Sequence, residues 1–159
     1  MLFVSKLYYC FSMFVKALIF LLTFAGMELF SWVVHKYLFH GPLWFIHKTH
    51  HQPQKTFFEW NDLFSLSFAL TAMWLMWQGQ TDLDYRFWMG CGITAYGLVY
   101  FIIHDVFVHQ RTRALKSNNP YLIRLRKAHK IHHKSLHKTP SESFGLLWTD
   151  RKHKNKHLI

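Results

Sequence analysis

Ten of the thirteen histidines in this 159-residue chain fall into two matching groups, and this pattern constrains the fold more than any other feature. Each group, called a bank below, holds one H-x4-H pair and one H-x-x-H-H triplet. The first bank comprises His35, His40, His47, His50 and His51, and the second comprises His104, His109, His129, His132 and His133. Neutral imidazole is a good ligand for iron, zinc and copper. Ten ligands exceed the four that a tetrahedral zinc takes, so the pattern predicts two metal ions with about five nitrogens each.

Long apolar stretches alternate with short polar ones, which is typical of membrane proteins. The chain is 51% hydrophobic and 19% aromatic. Three segments, residues 13–34, 61–79 and 86–104, are apolar over about the 20 residues that a spanning helix needs. Residues 2–12 are also apolar, which leaves a fourth helix open. The sequence predicts an all-α membrane protein of one domain, residues 1–150, with three to four transmembrane helices and a histidine-rich cap.

A shared metal centre requires both banks to lie on the same membrane face. Two predicted spans separate residue 51 from residue 104, so the chain leaves that face and returns to it. Residues 111–159 account for the whole net charge of +11. The positive-inside tendency therefore favours a cytoplasmic side for the basic C-terminal part and for the histidines. Residues 151–159 are expected to form a disordered basic tail, and nucleic-acid binding is not expected of a membrane-embedded chain.

The spacing within the motifs predicts their local structure. Five residues advance about 500° along an ideal α-helix, so the two rings of an H-x4-H pair would diverge by about 140°. We therefore predict that each pair spans a helix end or a π-bulge. Residues one turn apart share a helix face, so the rings of H-x-x-H-H can all point inward. Residues 120–138 are predicted to form an amphipathic surface helix, capped by Asn119, with Lys127 and Lys130 on its basic face.

Five polar side chains are candidates for supporting roles around the metals. Glu28 lies seven residues before the first histidine, on nearly the same helix face, and we expect it to orient a ligand ring. Glu59, Asn61 and Asp62 mark the start of the second span, where they either cap the helix or assist the site. Asp105 can hold the imidazole N–H of its neighbour or pair with a basic residue.

Aromatic and sulfur side chains are assigned more modest roles. Tyr100 lies one turn before the second bank and Tyr96 two turns before it, where they either line a substrate channel or pack as ordinary helix aromatics. Cys10 and Cys91 lie in apolar stretches without C-x-x-C spacing, so we expect buried small hydrophobes rather than ligands or a disulfide. His137 lies outside the repeated pattern and is expected on the solvated surface.

The residues around the banks resemble the bacterial β-carotene 3-hydroxylases of the membrane fatty acid hydroxylase superfamily. The resemblance covers about residues 20–147 and includes the runs H-K-Y-L-F-H-G, W-F-I-H-K-T-H-H and A-H-K-I-H-H. The matching segments are 28–51, 59–63, 94–97, 104–111, 128–133 and 143–145. The Lys-rich segment 146–159 departs from the family pattern.

The resemblance implies hydroxylation of both β-ionone rings of β-carotene at carbon 3, giving zeaxanthin via β-cryptoxanthin. It also implies a non-haem di-iron centre ligated by the ten bank histidines, with no catalytic side chain beyond the metal centre. O2 is the implied co-substrate, and electrons come from ferredoxin, reduced by NAD(P)H through ferredoxin reductase. The implied location is the bacterial cytoplasmic membrane. The chemistry agrees, because an unactivated C–H bond resists acid–base groups and nucleophiles, and zinc has no redox chemistry to offer.

Other functions remain open on the residues alone. Fatty-acid or sterol hydroxylases and desaturases use similar histidine motifs, and a carotenoid 4-ketolase is a nearer rival that leaves a keto group. A haem-binding electron-transfer protein is the alternative outside enzymes, although haem requires an opposed pair of histidines within the membrane. A zinc metalloprotease is disfavoured because the chain contains no H-E-x-x-H motif.

Overall fold

The computed structural model describes residues 2–52, 58–112, 115–134 and 143–149, and every regular element within them is helical. The elements are named α1 (Leu2–Val33), π1 (Val34–Phe39), α2 (Trp44–His47), α3 (Asp62–Gly79), α4 (Tyr85–Tyr100), π2 (Phe101–Val108) and α5 (Pro120–His133). The all-α prediction is confirmed for these residues. The expectations for His137 and for the tail 151–159 lie outside the described residues.

Two continuous helical stretches are long and apolar enough to cross a bilayer, namely Ser5–Phe39 and Tyr85–Val108. They contain two of the three predicted spans, 13–34 and 86–104. The third predicted span coincides with α3, a helix of 18 residues. Together with the exposed apolar side chains along α1 and α3, these helices indicate a membrane protein.

The expected burial of the cysteines is wrong for Cys10, which is exposed, whereas Cys91 is half-buried. Residues 5–11 of α1 are all exposed, Leu7 and Phe11 among them. Apolar character in this part of the chain therefore reports on a bilayer-facing surface rather than on a protein core.

The chain forms two compact units. The first consists of Met1–Met27 and Ser65–Gly97, and the second consists of Glu28–Phe64 and Leu98–Ile159. All ten bank histidines belong to the second unit, which is therefore the part of the chain that carries the candidate site.

Glycines permit close helix packing in the first unit. A Cβ atom added at Gly92 of α4 would lie 2.9 Å from the carbonyl oxygen of Phe20 and 2.8 Å from Cβ of Thr23, both in α1. A Cβ added at Gly90 would lie 2.7 Å from the carbonyl oxygen of Ala72 in α3. Only glycine fits at these contacts, and such small residues are what apolar helices use to approach one another in membranes.

An arginine ties α5 to π2 in the second unit. Nε and Nη2 of Arg126 donate to the carbonyl oxygen of Phe107 at 3.0 and 2.7 Å, and the guanidinium lies 3.8 Å from the centroid of the Phe107 ring. Phe107 is fully buried. The carbonyls at a helix end have no partner within the helix, so these bonds satisfy one of them and fix the position of α5.

The N-terminus of α5 has the predicted cap. The side chain of Asn119 accepts hydrogen bonds from the backbone N–H groups of Tyr121 and Leu122 at 2.9 and 3.3 Å, and Pro120 occupies the first helical position. The cap orients the helix that carries the second triplet. The predicted residues beyond 134 lie outside the described part of this helix.

Candidate metal centre

Each H-x4-H pair is held by a π-helical turn. The backbone N–H of His40 donates to the carbonyl of His35 at 3.1 Å, and that of His109 donates to the carbonyl of His104 at 2.8 Å. These are the i→i+5 bonds that define a π-helix. The ring centroids are 5.2 Å apart in the first pair and 4.5 Å apart in the second. The predicted π-bulge is confirmed at both pairs, because the wider turn brings together rings that an α-helix would separate.

The two triplets sit on different local structures. In the first, His47 ends α2, while His50 and His51 follow in turns, with the N–H of His50 donating to the carbonyl of His47 at 2.9 Å. The second triplet lies within α5. Adjacent residues of a helical turn point in different directions, so the two adjacent histidines at the end of each triplet can point toward different metal positions.

The imidazole nitrogens gather in two clusters, within each of which one nitrogen per residue lies within 4.8 Å of every other. Cluster 1 comprises His35, His40, His47, His51 and His132, and cluster 2 comprises His50, His109, His129 and His133. Each cluster takes one histidine from the opposite bank, so the two banks interleave. The rings of His51 and His133 stack with centroids 4.5 Å apart and planes at 5°, which shows that the clusters adjoin.

The tenth bank histidine, His104, is outside both sets but adjoins cluster 2. Its ring centroid lies 4.5 Å from that of His109 and 4.8 Å from that of His129, and its side chain is buried. Nine of the ten predicted ligands therefore belong to the clusters. Metal ligation stays a prediction for all ten.

The spacing of the inward nitrogens suits metal binding. Nε2 of His35 lies 3.0 Å from Nε2 of His47 and 3.1 Å from Nε2 of His132. In cluster 2, Nε2 of His109 lies 2.9 Å from Nε2 of His129. Two imidazoles bound at right angles to one ion, at about 2.1 Å each, have nitrogens about 3 Å apart. The donor atoms therefore stand where ligands of a common ion would stand.

The outer nitrogens of two cluster 1 histidines are held by neutral oxygens. Nδ1–H of His35 donates to the backbone carbonyl of Phe144 at 2.8 Å, and Nδ1–H of His47 donates to Oδ1 of Asn61 at 2.9 Å. A carbonyl can only accept, so Nδ1 of His35 carries the proton and Nε2 presents its lone pair to the cluster. Such outer bonds fix the ring orientation of metal-binding histidines.

One outer nitrogen of cluster 2, and one of the adjoining His104, are held by carboxylates. Nδ1–H of His50 donates to Glu59 at 2.7 Å, and Nδ1–H of His104 donates to Asp105 at 3.0 Å. Nε2 of His50 and of His133 are buried and, among the described residues, have no hydrogen-bond partner. A buried polar atom without a partner costs about 1–3 kcal/mol, and a metal ion in the cluster would remove that cost. The residues present therefore fit a metal.

Burial keeps five of the cluster imidazoles neutral. It lowers the pKa of His47 to about 3 and that of His109 to about 2, and neighbouring histidines add to the effect. Burial also holds the pKa of His50, His129 and His133 well below the usual value. Neutral imidazole is the form that binds metals, so these five side chains are ready to bind at pH 7.

A cavity of about 40 Å³ lies against the clusters. Its lining includes His35 and His47 from cluster 1 and His50 and His129 from cluster 2, together with His104. A volume of this size holds about three water molecules. The cavity therefore suits small ligands at the metal positions. Its described lining residues include no carboxylate.

Residues 143–149 close one side of this cavity and were assigned no role from the sequence except as part of a family motif. Oε1 of Glu28 accepts the backbone N–H groups of Leu147 and Trp148 at 2.8 and 3.1 Å. Glu28 was expected to orient a ligand ring. These two bonds anchor the segment whose carbonyl holds His35, so they support that ring through the backbone.

The two candidate tyrosines have different surroundings. Tyr100 stacks on His104 with ring centroids 4.5 Å apart and planes at 25°, and it lines the cavity. Tyr96 is buried in the first unit and packs edge-to-face on Phe24, with centroids 5.8 Å apart. The position of Tyr100 agrees with the channel interpretation, and that of Tyr96 agrees with ordinary helix packing.

Sequence reasoning overlooked Arg111 as a supporting residue. Its guanidinium donates to both carboxylate oxygens of Asp62, at 2.9 and 3.1 Å. Asp62 begins α3 and also accepts the backbone N–H of Glu59 at 2.9 Å, so it holds both the arginine and the turn that precedes the helix. An arginine two residues past the second H-x4-H pair was the available signal, since a cation there needs anionic partners.

The family model for fatty acid hydroxylases matches residues 20–154, which include both clusters and the closing segment. The chain belongs to the fatty acid hydroxylase family. Family membership agrees with a membrane hydroxylase whose histidines could hold metal.

Several proteins with related sequences carry the name β-carotene hydroxylase. That of Pantoea ananas is 43% identical over 135 residues, which is 84% of this chain and 77% of the relative. That of Pseudescherichia vulneris is 40% identical over 137 residues, 86% of this chain and 78% of the relative. The chloroplastic β-carotene 3-hydroxylase 2 of Arabidopsis thaliana is 36% identical over 113 residues, 68% of this chain and 37% of the relative. No solved structure matches the chain significantly.

Proposed function

We propose that this protein is an O2-dependent oxidoreductase that hydroxylates the β-ionone rings of β-carotene at carbon 3, giving zeaxanthin via β-cryptoxanthin. The observation that carries the proposal is a pair of adjoining imidazole clusters in a chain about 40% identical to bacterial β-carotene hydroxylases. An unactivated ring C–H bond needs an oxidant made from O2, which is the chemistry that such a centre supplies.

Iron is the metal that fits best. The donor set consists of neutral imidazoles, which suit iron, whereas no cysteine lies in either cluster. Two non-haem iron ions, when bound, activate O2 with two electrons from outside the protein. The cluster histidines would hold the ions through Nε2, and the partners of Nδ1 orient the rings. Clusters of four and five imidazoles do not offer the opposed pair that haem requires.

The substrate is apolar and dissolves in the bilayer. We place the protein in the bacterial cytoplasmic membrane with three spans, α3 being the third, and with the histidines on the cytoplasmic side. Large apolar side chains exposed along α3, such as Leu66, Leu70 and Trp74, support a lipid-facing surface there. We expect the ring to reach the cavity past Tyr100, which lines it beside His104.

Ferredoxin, reduced by NAD(P)H through ferredoxin reductase, is the proposed electron donor. Lys130 and Lys134 of the α5 region are exposed and Lys127 is half-buried, which gives this helix a basic face suited to an acidic protein. Reversing the charge at Lys127 and Lys130 should slow the ferredoxin-dependent rate, most strongly at low salt. An unchanged rate would place docking elsewhere.

Pigment analysis tests the proposal directly. Expression of the chain in cells that accumulate β-carotene should yield β-cryptoxanthin and zeaxanthin on chromatography, and the purified protein should contain two iron ions. A keto product would identify a 4-ketolase, and unchanged pigment with hydroxylated fatty acids or sterols would identify a lipid hydroxylase. A Soret band in the purified protein would favour haem and count against the di-iron centre.

A further inference from the structure

One arginine stands at the centre of a charged network on the outer side of cluster 2. Besides its two hydrogen bonds to Asp62, Arg111 places Nη2 3.6 Å from Oε2 of Glu59 and Nε 3.5 Å from Oδ1 of Asp105. The side chain is only 10% exposed. A nearly buried guanidinium therefore faces three carboxylates at once.

Two of these carboxylates are the ones that hold imidazole rings. Glu59 accepts from Nδ1–H of His50, a member of cluster 2, and Asp105 accepts from Nδ1–H of His104, which adjoins that cluster. Arg111 is thus connected to both rings through one carboxylate each. Its position determines where the two carboxylates lie and how much of their negative charge reaches the imidazoles.

Two histidines of cluster 1 have neutral supports instead. The outer nitrogens of His35 and His47 are held by the carbonyl of Phe144 and the amide oxygen of Asn61. A carboxylate partner makes an imidazole a stronger donor than a neutral oxygen does. The outer contacts therefore distinguish the two metal positions even though both present the same ligand atoms.

We propose that Arg111 is a positioning residue that holds Glu59 and Asp105 against His50 and His104 and thereby sets the metal affinity and electronic character of cluster 2, but not of cluster 1. This inference rests on the proposed metal centre. Without the cation, three neighbouring carboxylates would repel one another and the ring supports would shift. The planar fork of arginine matters as well as its charge, because it bonds both oxygens of Asp62 at the same time.

Iron binding tests the assignment without depending on turnover. Metal-free full-length protein in detergent is titrated anaerobically with Fe(II), comparing the wild type with Arg111→Gln and Arg111→Lys. We expect two ions in the wild type and, in Arg111→Gln, a loss of about 10- to 100-fold in the affinity of one ion only. Arg111→Lys keeps the charge but loses the fork, so it should recover part of that affinity. The other ion should stay within about twofold.

Mössbauer spectra of the ⁵⁷Fe-loaded protein give a second readout. Arg111→Gln should change the parameters of one iron and leave those of the other as in the wild type. Glu59→Gln and Asp105→Asn each keep an acceptor oxygen but remove the charge, so they should alter the same iron. These two variants also keep the test decisive if Arg111→Gln does not fold.

Arg86→Gln is the matched control, because Arg86 also pairs with a carboxylate, that of Asp84, but belongs to the first unit, which holds none of the bank histidines. Both of its iron affinities should stay within about twofold of the wild type. Three results would overturn the inference alone. Arg111→Gln could bind both ions as the wild type does, or bind both equally more weakly. The third is that the spectra of Glu59→Gln and Asp105→Asn are unaltered. A wild-type protein that binds fewer than two irons would overturn the proposed function together with it.

Discussion

Cluster 1 and cluster 2 present the same inward nitrogens but differ in what surrounds them. Four of the five cluster 1 histidines are buried, and the outer contacts described for this cluster are a main-chain carbonyl and an amide oxygen. Three of the four cluster 2 histidines are half-buried, and a carboxylate pair supported by an arginine stands behind this side of the site. Ligand identity alone therefore does not define a metal position, because the outer contacts also set the charge around the ligands.

Removing a histidine ligand should have the largest effect on activity, and this effect should be the same for both clusters. We expect His47→Ala in cluster 1 and His133→Ala in cluster 2 each to reduce zeaxanthin formation by at least about 100-fold, since removing a ligand exceeds the effect of removing its outer support. Pigment chromatography and the iron content of the purified variants check this. His153→Ala is the control and should keep its activity. Near-normal output from either cluster variant would show that one metal position is dispensable.

Acidification should also affect both clusters alike. Histidine in the unfolded chain titrates near pH 6.5, whereas burial lowers the pKa of His47 to about 3 and that of His109 to about 2 in the folded chain. Below about pH 6.5 the unfolded chain binds more protons, so the free energy of unfolding falls as the pH falls, by up to about 1.4 kcal/mol per pH unit for each such histidine.

Thermal unfolding of the metal-free protein in detergent at pH 7.5 and at pH 5 measures this effect. The melting temperature should be lower at pH 5, and His153→Gln should leave the difference unchanged. A melting temperature that does not vary over this range would mean that the cluster histidines are not held neutral by burial.

Replacing one amide by a carboxylate should make the two clusters more alike. Asn61→Asp gives cluster 1 a carboxylate partner at His47, so the affinity of its ion for Fe(II) should rise by about 10-fold and the two irons should become more similar by Mössbauer spectroscopy. Asn119→Asp makes the same chemical change at a helix cap, where aspartate serves equally well, and should leave both ions unaltered. A fall in affinity, or a change confined to cluster 2, would contradict the assigned supports.

The smallest effect on stability and iron binding should come from Glu28, which anchors residues 143–149. Glu28→Gln replaces two charge-assisted bonds to backbone N–H groups by neutral ones, which should lower the free energy of unfolding by about 1 kcal/mol. The affinity of the cluster 1 ion should fall by less than about 10-fold, because Phe144 is displaced only indirectly. Asp84→Asn in the first unit is the control and should leave iron binding unchanged. A selective effect on cluster 2 would argue against this connection.

The sequence was most informative where the spacing of the histidines does not fit one face of an α-helix. An H-x4-H pair cannot share one face of an α-helix, and for this reason both π-helical turns could be predicted. The interleaving of the banks was not predicted, although adjacent histidines such as His50 and His51 must point in different directions. Which of them joins which cluster depends on the packing of α5 against the first bank, and spacing along the chain does not specify that packing.

Other parts of the site carried weaker signals or none. Every residue has a backbone carbonyl, so nothing in the sequence marks the carbonyl of Phe144 as the partner of His35. The pairing of Arg111 with Asp62 joins residues 49 positions apart, and a charged residue has many candidate partners at that distance. Burial in the first turns of α1 was misjudged because apolar residues serve a lipid-facing surface as readily as a core.

The exchange of one imidazole between the banks has a consequence for synthesis. His132 stands 3.1 Å from His35 although 97 positions separate them in the chain. A nascent chain therefore cannot complete either cluster until α5 has emerged from the ribosome and reached the first bank. Full metal coordination would follow the synthesis of α5, and each bound ion would then link early and late parts of the polypeptide.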